Sequence, residues 1–97
     1  MVMRCSLTAL LERAQRGENA AWKSIVERFS PWALGLARRR LPAGRAAEDA
    51  VQESFLATFR RLGDLRSKEA FPSWLASIII SQCSRLAGSL PPEVSLE

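Results

Sequence analysis

Two segments hold side chains whose types and spacing suit recognition chemistry. The first is Glu48-Asp49-Ala50-Val51-Gln52-Glu53-Ser54-Phe55. In a helix, Asp49, Gln52, Glu53, Leu56 and Arg60 fall at i, i+3, i+4, i+7 and i+11 and share one face, opposite an apolar stripe of Val51, Phe55 and Phe59. Carboxylates and an amide around an exposed leucine have the make-up of a docking surface, an apolar contact inside a polar rim. Carboxylates at a helix start also offset its dipole, by ~0.3–1 kcal/mol each. That second role is open to Glu48 and Asp49, but it does not account for Gln52 or Leu56. The other segment is Arg66-Ser67-Lys68-Glu69-Ala70-Phe71-Pro72-Ser73-Trp74. Arg66 and Lys68 can pair with phosphates, and Phe71 and Trp74 can stack on unpaired bases or pack into a core. For Trp74 the core is favoured, since it shares a stripe with Leu75, Ile78 and Leu86.

Catalysis has little to work with. The chain has no histidine, the commonest general base at neutral pH, and two cysteines. Without a Cys/His cluster, no zinc site is expected, and no cofactor motif is present. The remaining enzymatic reading, Glu48 and Glu53 as acid and base, has nothing to orient the pair. The expectation is a protein that is not an enzyme and carries no metal or cofactor. Cys5 and Cys83 are read as reduced thiols, with Cys83 buried.

Net charge is +4, and its distribution is uneven. Residues 1–47 carry nine basic and three acidic side chains, whereas residues 48–97 carry five basic and seven acidic. The basic excess is densest at Arg38-Arg39-Arg40 and Arg45. Such a cluster can hold phosphates, or it can serve a helix C-terminus, where cations offset the dipole.

The elements that must position these groups are helices. At 97 residues the chain is one domain at most, able to bury roughly 60–70% of its unfolded surface. No apolar run approaches the ~20 residues that cross a bilayer, and the first residues lack a signal peptide's apolar segment, so no membrane insertion and a cytoplasmic location are expected. Ser6 can cap a first helix striped with Leu7, Leu10, Leu11 and Ala14, ended by Gly17. Asn19 can cap a second, whose apolar face is Trp22, Ile25, Val26, Phe29, Ala33, Leu36 and Ala37, with a kink expected before Pro31. Pro42-Ala43-Gly44 is turn chemistry. A third helix from Arg45–Ala47 to about Leu62 turns Ala47, Val51, Phe55, Phe59 and Leu62 inward. After a polar loop, a fourth runs from about Ala70 to Gly88, with Pro72 tolerated in its first turn. Ser73, Ser77, Ser81, Ser84 and Gly88 line one side of it. With Ile80 and Cys83 widening its apolar character, this helix is expected to be largely buried or covered by a partner. The fold class is all-α, a compact bundle of about four helices over residues 1–90, with 91–97 as the start of a linker or a tag remnant.

The acidic run, then Leu65-Arg66, then Ala70-Phe71-Pro72-Ser73-Trp74-Leu75-Ala76-Ser77-Ile78, resembles region 2 of bacterial sigma-70-type factors, most closely their extracytoplasmic-function (ECF) group. Upstream, Leu10-Leu11, Gly17-Glu18, Trp22 and Val26 to Ser30-Pro31 resemble that group's opening helices, so the match covers about residues 7–88. The resemblance implies that Glu48, Asp49, Gln52, Glu53 and Leu56 bind the clamp helices of the RNA polymerase β′ subunit. It implies that the loop and last helix open the promoter −10 element and capture a flipped base of the single-stranded non-template strand. By position, Arg66, Ser67, Lys68, Phe71 and Ser81 would lie at or near that base, with Arg38, Arg39, Arg40 and Arg85 as backbone contacts. An anti-sigma factor is a further implied partner. The family usually has asparagine where this chain has Ser81. It tends to have aspartate and several arginines where this chain has Arg85-Leu86-Ala87-Gly88, and small or basic residues in place of Ile79-Ile80. These 97 residues do not include the family's second, helix-turn-helix domain, so an excised N-terminal domain or a shortened homologue is expected. The function expected is a sigma region 2 domain. The alternative is a sigma-like decoy or adaptor that binds polymerase or an anti-sigma factor without reading DNA.

Overall fold

The computed structural model describes residues 6–41 and 45–89. Among the described residues four α-helices make up the bundle: α1 (Leu7–Gln15), α2 (Asn19–Arg38), α3 (Arg45–Arg60) and α4 (Phe71–Ser89). Single 3-10 turns at Leu62–Asp64 and Lys68–Ala70 break up the connection from α3 to α4. There is no strand among the described residues. The expected turn at Pro42-Ala43-Gly44, the thiol of Cys5 and the segment 91–97 lie outside the described residues.

The local starts and stops follow from side-chain chemistry. Ser6 takes extended backbone angles, and its Oγ accepts from the Ala9 amide at 3.1 Å, satisfying one of the free donors at the head of α1. At the other end Gly17 adopts φ 95°. There the Glu18 amide donates to the Arg13 carbonyl at 3.0 Å and the Gly17 amide to the Ala14 carbonyl at 2.9 Å. This is the paired closure of a Schellman motif, which needs the left-handed residue that glycine supplies without steric cost.

The start of α2 departs from expectation. Glu18, not Asn19, is the N-cap, and no side chain caps the helix. The tight glycine turn leaves room for one residue only before the helix resumes. Glu18 spends its carboxylate elsewhere, 2.8 Å from Arg13 and 3.8 Å from Arg16, and so fastens the α1–α2 corner. Beyond it α2 is assigned helical through Pro31 to Arg38. The Ser30 hydroxyl donates back to the Val26 carbonyl at 2.6 Å, one residue before the donor that proline lacks.

The core joins all four helices: Leu10, Leu11 and Ala14 of α1, Ala21, Ile25, Ala33 and Ala37 of α2, Ala47, Ala50, Val51 and Phe55 of α3, and Phe71, Leu75, Ile79 and Cys83 of α4. Alanines fill much of the buried faces of α2 and α3, and small side chains at a helix contact let the axes approach closely. α3 packs on α4 and on α2, α2 also packs on α1 and α4, and α1 reaches the turn at Lys68–Ala70. The Gln15 amide nitrogen donates to the Leu62 carbonyl at 3.0 Å, tying the end of α1 to the turn that follows α3.

Two expectations about the inner faces need correcting. Phe59 is not a core residue: it is 42% exposed and lies on the Trp22 ring, centroids 5.4 Å apart. Thr58 takes the inward position instead, together with Ser54. Both are fully buried, their hydroxyls donating to the carbonyls four residues back at 2.7 and 2.6 Å, so neither carries an unpaired polar atom into the core. α4, for its part, is not buried all round. It sinks Phe71, Leu75, Ile78, Ile79 and Cys83 and leaves Ser73, Ser77, Ser81 and Ser84 exposed.

Candidate functional site

α3 presents one polar side and buries the other. Glu48, Asp49, Gln52, Glu53 and Leu56 are all exposed, Leu56 by half its surface, while Ala47, Ala50, Val51, Ser54 and Phe55 point inward. Glu48 stands in the first turn, where the helix dipole favours a carboxylate. Glu53 lies 4.0 Å from Arg60, two turns on and also exposed. A pair that open to water contributes little to stability, so both groups stay available to a partner. Glu48 and Glu53 do not form an acid–base pair. Five residues separate them, which sets them about 140° apart around the helix axis, both in solvent.

Two hollows flank this side. Trp22, Val26 and Ser30 of α2, with Val51, Gln52, Phe55 and Leu56 of α3, line a largely apolar groove of about 450 Å³. The Trp22 ring forms its wall, edge-on to Phe55 at 6.2 Å and tilted against Phe59 at 5.4 Å. Gln52 and Leu56 therefore sit on the rim of an apolar slot rather than alone on a helix. Trp22, Val26, Ser30 and Phe59 join the surface without having been recognised from sequence. The two α2 apolar residues read as core by their spacing, and only the α2–α3 packing opens them. The second hollow, about 250 Å³, lies between α3 and α4 and is lined by Asp49, Glu53, Gln82, Arg85 and Leu86. Arg85, which also lies 3.4 Å from the Gln82 side-chain oxygen, thus shares a hollow with the two acids.

The residues expected at the nucleic-acid side are dispersed. Arg66 and Ser67 are exposed and Lys68 half-buried, on the stretch that leads into α4. Phe71 is not accessible there. It is fully buried, its ring 5.3 Å from Phe29 and 6.1 Å from Trp74, so it has no face to offer a base. It packs beneath the loop and positions it. Trp74 is half-buried against the core, as its stripe implied. Ser81 is exposed and lies ten residues along α4 from Phe71, roughly 15 Å by helical rise. Arg38, Arg39 and Arg40 are exposed at the end of α2. The charge of Arg40 is felt at Cys83, whose thiol is pushed above its ordinary value by burial, with Arg40 pulling the other way. The basic groups therefore lie at two places, one before α4 and one beside its second half.

Known proteins supply the context. Residues 25–88 match the family described as sigma-70 region 2. The RNA polymerase sigma-H factor of Pseudomonas aeruginosa is 34% identical over 87 residues, covering 87% of this chain and 45% of that protein. The ECF RNA polymerase sigma-E factors of Salmonella typhimurium (strain LT2) and Escherichia coli (strain K12) are 32% and 31% identical over 91 residues, 91% of this chain and 47% of theirs. The chain thus spans about half the length of these relatives. The fold is similar to an NMR structure of an engineered region 2 of sigmaE in complex with GTAAAA, with a TM-score of 0.81 and 28% identity over 89% of this chain and 90% of that one.

Proposed function

The chain belongs to the sigma-70 region 2 family, in its ECF group, and on that premise we propose that it docks on core RNA polymerase and recognises and melts the promoter −10 element. The observation that carries the docking half is the single-sided α3: Asp49, Gln52, Glu53 and Leu56 stand exposed together, Gln52 and Leu56 on the rim of the apolar groove and Asp49 and Glu53 on the neighbouring hollow. Acids beside an apolar contact suit the β′ clamp helices as a basic, helical partner, with charge steering the encounter and setting register. The same surface suits an anti-sigma factor. The polymerase supplies the chemistry, in the cytoplasm, and this chain supplies binding.

The strand-reading half is supported by likeness to the sigmaE region 2 that was solved with GTAAAA. Arg66, Ser67 and Lys68 contact the strand where it passes the start of α4. Arg38, Arg39, Arg40 and Arg85 neutralise phosphates, and Ser81 meets the strand farther along. Extruding a base costs a few kcal/mol, which these contacts offset. One observation favours the decoy reading: the exposed side of α4 is made of serines, and Arg85 is the one charged residue in its sequence.

The two halves separate experimentally. The double variant Gln52→Ala/Glu53→Ala is expected to weaken binding to purified β′ clamp helices about tenfold, ~1.4 kcal/mol; unchanged affinity would overturn the docking assignment. The unaltered chain is expected to prefer a −10 non-template strand over a scrambled one, with Lys68→Ala weakening that binding. Equal binding to both strands at physiological salt would instead establish the decoy.

A further inference from the structure

Trp32 belongs to none of the surfaces described so far, yet it is one of three large apolar side chains left open among the described residues, 43% exposed. It shares a face of α2 with Gly35, Leu36 and Arg39, at i, i+3, i+4 and i+7. Those four residues line a hollow of about 220 Å³. The indole is the wall. Gly35 has no side chain and leaves the floor open, with nothing within 4 Å of where a Cβ would stand. Arg39 stands at the far end beside Arg38 and Arg40. The indole is also braced: it meets Phe29 edge to face, centroids 5.9 Å apart at 77°, and Phe29 in turn meets buried Phe71 at 5.3 Å. Phe71 opens α4 immediately after Lys68–Ala70. Two ring-to-ring steps therefore link Trp32 to the basic loop.

From this arrangement we propose that the Trp32–Gly35–Leu36–Arg39 slot is a second stacking site for an unpaired base of single-stranded DNA, outside the loop before α4. The inference rests on the strand-binding reading above and extends it to the far side of Phe71. A braced aromatic face and a guanidinium lining the same hollow are what sequence-tolerant single-strand binding uses. Charge decides the occupant. Arg39 lines the slot and its sequence neighbours Arg38 and Arg40 are exposed at the same end of α2, a local positive charge that a polyanion offsets and an apolar protein surface does not.

The test uses the 97-residue chain with Trp22→Phe and Trp74→Phe, so that Trp32 is the one indole, and a fluorescently silent six-nucleotide single strand as probe. Stacking is expected to quench Trp32 on saturation. Separately, in the otherwise unaltered chain, Trp32→Ala is expected to weaken strand binding about 5- to 150-fold, the span for one base–aromatic stack, and Trp32→Phe to recover part of it. Arg39→Ala is expected to lower the salt slope by about 0.7. If the unaltered chain binds no single strand, the slot and the strand-binding reading fall together. If it binds but Trp32 stays unquenched and Trp32→Ala binds equally well, the slot alone is overturned. A Trp32→Ala variant that loses clamp-helix affinity while keeping strand affinity likewise overturns it, assigning the indole to a protein partner.

Discussion

Replacing Phe71 with alanine separates a structural ring from a base-contacting one. The side chain is fully buried and sits between Phe29 and Trp74, at 5.3 and 6.1 Å. Removing such a ring forfeits its burial and leaves a cavity, together about 3–5 kcal/mol. A domain of this length has roughly 5–15 kcal/mol of stability in total. The substitution should thus remove roughly a fifth of it or more and lower the melting temperature by roughly 12–40 °C, at 4–8 °C per kcal/mol. Urea and thermal unfolding followed by helical circular dichroism read this directly. Single-strand binding is then measured at a temperature where the variant is still folded. Phe71→Leu, which keeps much of the volume, should fall well short of the alanine cost and still bind the strand. If Phe71→Ala loses strand binding while its stability changes by less than about 1 kcal/mol, the argument fails: the ring would then be meeting the strand rather than supporting the loop.

Other outcomes follow from smaller features. Gly17→Ala should destabilise by about 1 kcal/mol in denaturant titration; no atom lies within 4 Å of the added Cβ, so the cost is that of φ 95° alone. Ser6→Ala should cost ~1 kcal/mol by leaving the Ala9 amide without its acceptor, seen as lower amide protection in the first turn of α1. Burial raises the Cys83 thiol above its unfolded value, so the fold prefers the protonated form. The associated stability is fully present below the unfolded thiol's value of about 8.5 and declines as pH rises above it. Denaturation midpoints of the unaltered chain should therefore fall more steeply in that alkaline range than those of Cys83→Ala.

Helix count, the Ser6 cap, the Gly17 stop and the single-sided α3 were legible in the sequence because each follows from local chemistry or period. The misplacement of Phe59 has a geometric cause. A stripe read in steps of four, Ala47-Val51-Phe55-Phe59, gains about 40° per step against the true turn of the helix. After three steps the fourth residue has rotated about 120° out of the core, and Thr58 occupies the inward position. Thr58 and Ser54 are not part of an apolar stripe because their hydroxyls are polar, but bonds to carbonyls within α3 satisfy them. Phe71 stayed open in the sequence between stacking on a base and packing in the core, and its packing on Phe29 decides for the core. The groove and the Trp32 slot had no signature at all. The groove is a product of how two helices meet, and the slot depends on a missing side chain at Gly35.

The amide link from Gln15 to the Leu62 carbonyl bears on where this folding unit starts. The packed core begins in α1, whereas the family match begins at residue 25. Cutting the chain there would strip Leu10, Leu11 and Ala14 from the core and leave the backbone after α3 without its polar anchor. α1 supplies no residue to either proposed interface, yet it is bonded to the segment between the docking helix and the strand-facing loop. Evolutionary recurrence and mechanical integrity thus set different borders here, and a minimal fragment chosen by the first would lack the second.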